Sequence, residues 1–283
     1  MSLPLADSIV ATYEKQKSEA RIQAVEQYLT DNVLGDDFIC SHYNSCKSSH
    51  ADTFYEGQLH HVGKYYGVSF DGRPLRVVVV GQEYGHPPAC VDCQARSQMF
   101  KYSALDCRFA AGQGYKGRNP HMKGTTSVLR LIFGIPLGTD HHSEFLSIEG
   151  KRVHIFDAFA LVNYLLCSAV PDGTCNGKAT PTMMSNCAGH FRKVMNILEP
   201  SVIIVQGKGF WKKSIRKSFD SVSQVSDFVY KAKLGSHESF IAAFSHPSAH
   251  FPYNWGGNEP TEYLQNTVVP SIKIIHEHLG ICR

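Results

Sequence analysis

Two short segments hold the residues best suited to bond-breaking chemistry. Gly81-Gln82-Glu83-Tyr84-Gly85-His86-Pro87 offers a carboxylate directly after an apolar run. Ser245-His246-Pro247-Ser248-Ala249-His250 offers imidazoles after another. A carboxylate can stabilise a developing cation or take a proton from water, and a neutral imidazole can donate to a developing anion. Asn163, in Leu161-Val-Asn-Tyr-Leu-Leu-Cys167, adds an amide that both donates and accepts. Each has a plainer reading: a solvated turn carboxylate, a capping histidine, a strand-end asparagine. The nine cysteines are a second chemical resource. No apolar export segment precedes them, so a disulfide scaffold is not expected, and buried thiols compete with a metal or iron–sulfur site.

These residues need elements to carry them. Four short β-rich runs are expected as strands: Leu75–Val80, Val153–Phe156, Val202–Val205 and Phe240–Phe244. Helix-like stretches lie between them, at Thr125–Phe133, Ala188–Leu198 and Phe210–Phe219. Alternating strands and helices predict an α/β protein with a mostly parallel sheet covered on both faces. Residues 5–33 read as an amphipathic cytosolic helix, and Thr261–Leu279 as a second helix that Pro270 kinks or splits. In an open parallel sheet, ligands bind beyond the carboxyl ends of the strands. The segments at residues 81–87, 163, 206–207 and 245–250 therefore converge on one edge.

Composition sets the outer bounds. The chain has 283 residues, 43% hydrophobic, enough for a sizeable core in one large domain or two small ones. No apolar run approaches ~18 residues, so no membrane span is expected. The net charge of +3 is weak support for a polyanionic partner. No repeat or low-complexity segment interrupts the chain.

Gly81-Gln82-Glu83-Tyr84-Gly85, Asn163 and His246-Pro247-Ser248, in that order and context, resemble the uracil-DNA glycosylase superfamily. The resemblance covers roughly residues 36–280. It implies a single domain over 1–283 with a three-layer α/β/α fold around a central four-stranded, mostly parallel sheet. It also implies a monofunctional DNA glycosylase that flips a pyrimidine out of DNA and hydrolyses its N-glycosidic bond. In this reading Glu83 and His246 are catalytic, Gln82 and Asn163 line the base, and Ser248, His250 and Phe251 meet DNA. Gly85 stands where the uracil-specific branch has a blocking tyrosine. That implies a pocket open at the pyrimidine 5-position, and favours a modified base such as glucosylated hydroxymethylcytosine of phage DNA. Uracil repair is the first alternative, a non-catalytic DNA- or nucleotide-binding module the second. A histidine-based metal hydrolase ranks last, because no helical His-x-x-x-His spacing is present.

An insertion at 88–123 interleaves basic and aromatic residues and suits a nucleic-acid channel, with Phe100 or Tyr115 stacking on the base. Lys208 and Lys212 form a second basic patch. Iron–sulfur members of the superfamily place two cysteines before the first motif and two after the asparagine. The matching residues here are Cys40, Cys46, Cys167 and Cys187, which implies a [4Fe-4S] cluster, with zinc as the alternative. Cys90 and Cys93 are a competing pair, while Cys107, Cys175 and Cys282 read as ordinary thiols. DNA is the expected partner, with no membrane and no obligate protein partner, in a cytoplasmic setting.

Overall fold

The structure is a computed structural model that describes residues 11–35, 38–56, 60–70, 72–83, 110–171, 174 and 177–281. The protein is a mixed α/β protein organised around a seven-stranded sheet. In chain order the strands are β1 (His61–Val62), β2 (Val77–Gly81), β3 (Phe159–Asn163), β4 (Val202–Gln206), β5 (Ser221–Gln224), β6 (Val229–Leu234) and β7 (His237–Phe244). Across the sheet they lie in the order β5-β6-β7-β4-β2-β3-β1. The middle four, β7, β4, β2 and β3, are mutually parallel. The outer strands β1, β5 and β6 run antiparallel to their neighbours.

The parallel strands are nearly unbroken runs of Val, Ile, Ala and Phe because both of their faces are buried. Alternate residues feed two separate cores. Val78, Val80, Ile203, Val205, Ile241 and Ala243 pack towards α1 (Lys15–Leu29) and α3 (Pro181–Leu198). Val77, Val79, Val202, Ile204, Ala242 and Phe244 pack towards α2 (Pro120–Ile132) and α5 (Val269–Leu279). A six-residue helix, α4 (Lys208–Lys213), follows β4. Both faces of the sheet are thus covered by helices.

Several sequence expectations shift. Residues 153–156 do not join the central sheet. Lys151–His154 belongs to a separate five-stranded sheet, paired antiparallel with Phe145–Ile148. The central strand is Phe159–Asn163, which follows one helical turn later. Polar Arg152 and His154 suit an edge hairpin, whereas Phe159-Ala-Leu-Val suits a strand buried on both faces. The helix expected over 5–33 spans Lys15–Leu29 and widens into a π turn over Thr30–Leu34, and Ala11–Tyr13 is a strand. Residues 1–10 lie outside the described set. Pro270 does not split the last helix. A π turn at Leu264–Val268 runs directly into α5, and Pro270 sits in the first turn of α5, where a missing N–H is tolerated. No helix among the described residues is long and apolar enough to cross a membrane.

Arg118 belongs to the insertion whose basic and aromatic residues suit a nucleic-acid channel, but its side chain is fully buried. Its guanidinium grips both oxygens of Glu144, at 2.8 and 2.6 Å, and also bonds Thr126 and the carbonyls of Ala110 and Gln113. His154 and His141 reach the same carboxylate at 3.1 Å. Burial alone would raise the Glu144 pKa, but the bonds from His154 and Arg118 outweigh it and hold it at about 2. Removing one member of such a pair strands the other. Glu144→Gln should therefore cost about 3–5 kcal/mol of stability, read as a lower midpoint in urea. The folded carboxyl lies below the ordinary 4.5, so this contribution is complete above that pH and is lost as pH falls through about 2. A midpoint in Glu144→Gln equal to that of the parent at pH 7 would show that the network contributes nothing.

Candidate functional site

The four parallel strands end level. Gly81 pairs with Asn163, Val80 with Val205, and Gln206 with Phe244. With ~4.8 Å between neighbouring strands, Asn163, Gly81, Gln206 and Phe244 form a row about 14 Å long. By strand alternation these four residues face α2. The chain leaves this row as Gln82-Glu83, as Tyr164, as Gly207 and as Ser245-His246. One edge therefore gathers Gln82, Glu83, Asn163 and His246, as the sequence predicts.

The His246 loop is braced from several sides. Trp255 Nε1 donates to the Ser245 carbonyl at 2.7 Å, the Ser245 N–H donates to Tyr263 Oη, and the Gly256 N–H donates to the Pro247 carbonyl. The backbone N–H of Ser248 donates to His246 Nδ1 at 3.3 Å, and Ser248 Oγ lies 2.7 Å from the same nitrogen. An N–H donor needs a lone pair at Nδ1, so the His246 proton sits on Nε2, free to donate outwards. Partial withdrawal from water lowers the His246 pKa and keeps the ring neutral.

Glu83 lies in a drier setting. Burial raises its pKa from 4.5 to about 7, against a smaller opposing effect from the Gln82 side chain. Gln82 Nε2 donates to Glu83 Oε1 at 3.2 Å, while Oε2 is buried with no partner among the described residues. The carboxyl packs directly on the backbone of Gly177, where a Cβ would come within 2.5 Å of it. A glycine there lets the chain close over the carboxyl.

The structure also brings in a residue that the sequence places only among the basic residues of the 88–123 insertion. His121 stands in the first turn of α2, its ring stacked on His246 with centroids 6.3 Å apart and planes at 24°. A Cβ on Gly81 would lie 3.6 Å from His121 Cε1 and 3.2 Å from Asn163 Oδ1, so glycine leaves room for both. Helix α2 is seated by close contacts. A Cβ on Gly124 would lie 2.7 Å from Pro247, and one on Gly256 2.2 Å from the Pro120 carbonyl. Gln206 Nε2 ties the sheet to α2 through Thr125 Oγ1 at 3.1 Å. Asn119 caps α2 by accepting from the Met122 N–H, with Pro120 at its start. Asn-Pro is a legible helix start and would have placed His121 at a helix N-terminus. Nothing in the sequence marks Gly177.

Other expected residues distribute as follows. Tyr115, expected to stack on the base, is 5% exposed, and its hydroxyl bonds Ser127 Oγ at 3.0 Å. Ser248 and His250 are exposed, and Phe251 and Tyr253 of the same loop are 79% and 59% exposed. Lys208 follows β4 at this edge, but its ammonium lies over the Phe228 ring at 4.1 Å, and Lys212 points to solvent. Gly85, Phe100, Cys90, Cys93, Cys107, Cys175 and Cys282 lie outside the described residues. So does most of the expected insertion. Its last residues, 120–123, instead open α2. A cavity of about 630 Å³ lies at the opposite edge, beside Arg73, Arg76 and His278.

Cys40, Cys46, Cys167 and Cys187 all belong to, or pack against, the core on the α1/α3 face. Cys187 is the seventh residue of α3 rather than its start. Cys46 lies on a helical turn held against α3 by Asn186, whose amide donates to Sγ at 3.3 Å. Cys187 is pushed up to about 12 by burial, with smaller contributions from Cys46 and Cys40 nearby. His190, one turn along α3, places Nε2 3.6 Å from Cys40 Sγ, while its Nδ1 meets Tyr28 Oη at 2.8 Å.

Among the described residues, His141, Glu144 and His154 are a group whose ligating atoms all lie within 4.8 Å of one another. Their hydrogen bonds argue against a metal there. The Phe156 N–H donates to His154 Nδ1, which puts the proton on Nε2, and Arg118 already neutralises the carboxylate. No protein-family model matches the chain, and no curated protein matches it.

Gly124→Ala should force α2 away from Pro247. An overpacked contact of this kind costs about 1–3 kcal/mol. The imidazole resonances of both His121 and His246 should shift together. Unchanged chemical shifts and an unchanged melting temperature would refute this account of how the helix is seated.

Proposed function

We propose that the protein is a monofunctional DNA glycosylase acting on a pyrimidine, with a 5-modified base favoured. The observation that carries this reading is the level row of strand ends, which sets Gln82-Glu83, Asn163 and His246 on one edge. That arrangement accords with the resemblance to the uracil-DNA glycosylase superfamily and with its four-stranded parallel core.

The chemistry follows from the groups present. The C1′–N1 bond breaks heterolytically; the electron pair passes to N1 and spreads onto O2. His246 Nε2–H donates to that oxygen as charge builds. Ionised Glu83 faces the cationic sugar and takes a proton from the water that adds to C1′. The base leaves as an anion and is protonated by solvent. Asn163 reads the base edge with an amide that suits a uracil-type or a cytosine-type face, according to its orientation. The expectation of an open 5-position rests on Gly85, outside the described residues. Exposed Phe251 is the natural wedge for the gap left by the extruded nucleotide. Among the described residues no lysine accompanies Glu83 and His246 as an amine nucleophile, in keeping with hydrolysis alone.

A [4Fe-4S] cluster on Cys40, Cys46, Cys167 and Cys187, with zinc as the alternative, belongs to this proposal; it rests on the resemblance and is supported by all four thiols lying on the α1/α3 face. When bound, the cluster would tie the 40–46 segment to α3 and the Cys167 strand, a structural role.

The decisive assay offers oligonucleotides containing uracil, 5-hydroxymethylcytosine or its glucosylated form, followed by alkaline cleavage at abasic sites. Strand breaks on at least one substrate are expected, and none on any would leave a binding module. Glu83→Ala should abolish product with the fold intact. Because the anion is the working form and its pKa is about 7, base release should rise with pH through about 7 and then level off. A flat profile from pH 5.5 to 8.5 removes Glu83 from the mechanism. A carboxyl raised on folding opposes folding as pH climbs above 4.5. Glu83→Gln should therefore be more stable than the parent at pH 8 and less so at pH 5, as thermal melts would show. Iron with visible absorption, lost in Cys187→Ser, is expected on metal analysis; iron retained in that variant would move the site to Cys90 and Cys93.

A further inference from the structure

We infer that His121 is a second donor to the departing base, forming with His246 a two-imidazole cradle for the pyrimidine 2-oxo group. This deepens the glycosylase reading and rests on it.

The placement is the first argument. Along the row of strand ends, His246 leaves from β7 and Asn163 ends β3, three strand steps apart. His121 comes down from α2 between them, stacked on His246 and facing the bare Gly81 position beside Asn163 Oδ1. A base held by Asn163 and His246 must pass beside this ring. The second argument is the effort the fold spends on that placement. Gly81 gives up its side chain next to the ring, Gly124 and Gly256 let α2 settle on the Pro247 loop, and Gln206 ties α2 to β4 through Thr125. The ring itself is not consumed by structure. Its nitrogens accept or donate no hydrogen bond to the described residues, whereas His61, His237 and His276 each bond a backbone carbonyl.

Burial, together with neighbouring His246, pulls the His121 pKa down to about 4. The ring is then a neutral donor rather than a proton-delivering acid. Two neutral donors suit a leaving group that departs as an oxygen-centred anion, which is the chemistry of 2-oxo pyrimidines. They give little help to a purine, whose departure depends on protonation of the ring. The substrate class is therefore an oxo-pyrimidine whose 2-oxo edge meets both imidazoles.

The test is single-turnover base release from duplexes carrying 5-fluorouracil, uracil, 5-hydroxymethyluracil or 5-hydroxymethylcytosine, which differ in the acidity of the free base. His121→Ala should slow release by about 10²–10³-fold, the usual effect of losing one such donor. The loss should be greatest for the least acidic base, so the dependence on leaving-group acidity steepens. His121→Asn retains an N–H donor and should recover part of the rate and of the slope. Equal losses on every base, or rates unchanged in both variants, would overturn the assignment while leaving the glycosylase reading in place. A parent protein inactive on all four substrates and on glucosylated 5-hydroxymethylcytosine would bring down both.

Discussion

The level ending of four parallel strands is the constraint from which the site descends. Register is fixed by burial on both faces, because a one-residue slip would turn each apolar residue to the opposite core. Once Gly81, Asn163, Gln206 and Phe244 are aligned, the residues after them have little freedom over where to emerge. The chemistry at the edge therefore inherits its geometry from the interior. Small residues complete the arrangement: glycine at 124, 177 and 256 marks points where a Cβ would meet a neighbouring segment at under 3 Å, and at 81 a Cβ would press on Asn163.

The site combines two opposed electrostatic conditions. Glu83 is drawn towards its neutral form by burial, and the imidazoles of His121 and His246 are also drawn towards theirs. All three would carry charge more readily in water. Partial withdrawal from water strengthens each hydrogen bond these groups form. By contrast, the Arg118–Glu144 network keeps full charges buried by pairing them. There the carboxyl is depressed rather than raised, with two histidines and an arginine gathered around it.

Legibility in the sequence varied with the kind of signal. Apolar runs at Leu75–Val80, Val202–Val205 and Phe240–Phe244 lie within one or two residues of β2, β4 and the end of β7, because strands buried on both faces need continuous hydrophobicity. Val153–Phe156 misled because an edge hairpin of another sheet uses the same β-branched residues, and Phe159–Asn163 contains Ala160, of low β-propensity. Glu83, Asn163 and His246 were legible because each follows a strand end. Tyr115 and Arg118 were misplaced because charge and aromaticity in a Gly-rich stretch look solvated until a buried partner such as Glu144 is known. His121 was hidden by distance along the chain: no local pattern links position 121 to position 246, and only the packing of α2 on the Pro247 loop joins them. The outer antiparallel strands β1, β5 and β6 were unforeseen; β1 and β5 are short edge strands of two and four residues, which carry little periodic signal.

The half-ionised carboxyl of Glu83 has a consequence for docking a polyanion. Phosphates drawn near that edge would bias the side chain further towards its protonated form, dulling the anion just as it is required. A net charge of only +3 spreads too thinly over the molecule to offset such a field. Under the proposed glycosylase function, cations would have to stand against individual phosphates near Glu83, and ionic strength should then alter the apparent acidity of this carboxyl more in a nucleic-acid complex than in the free protein.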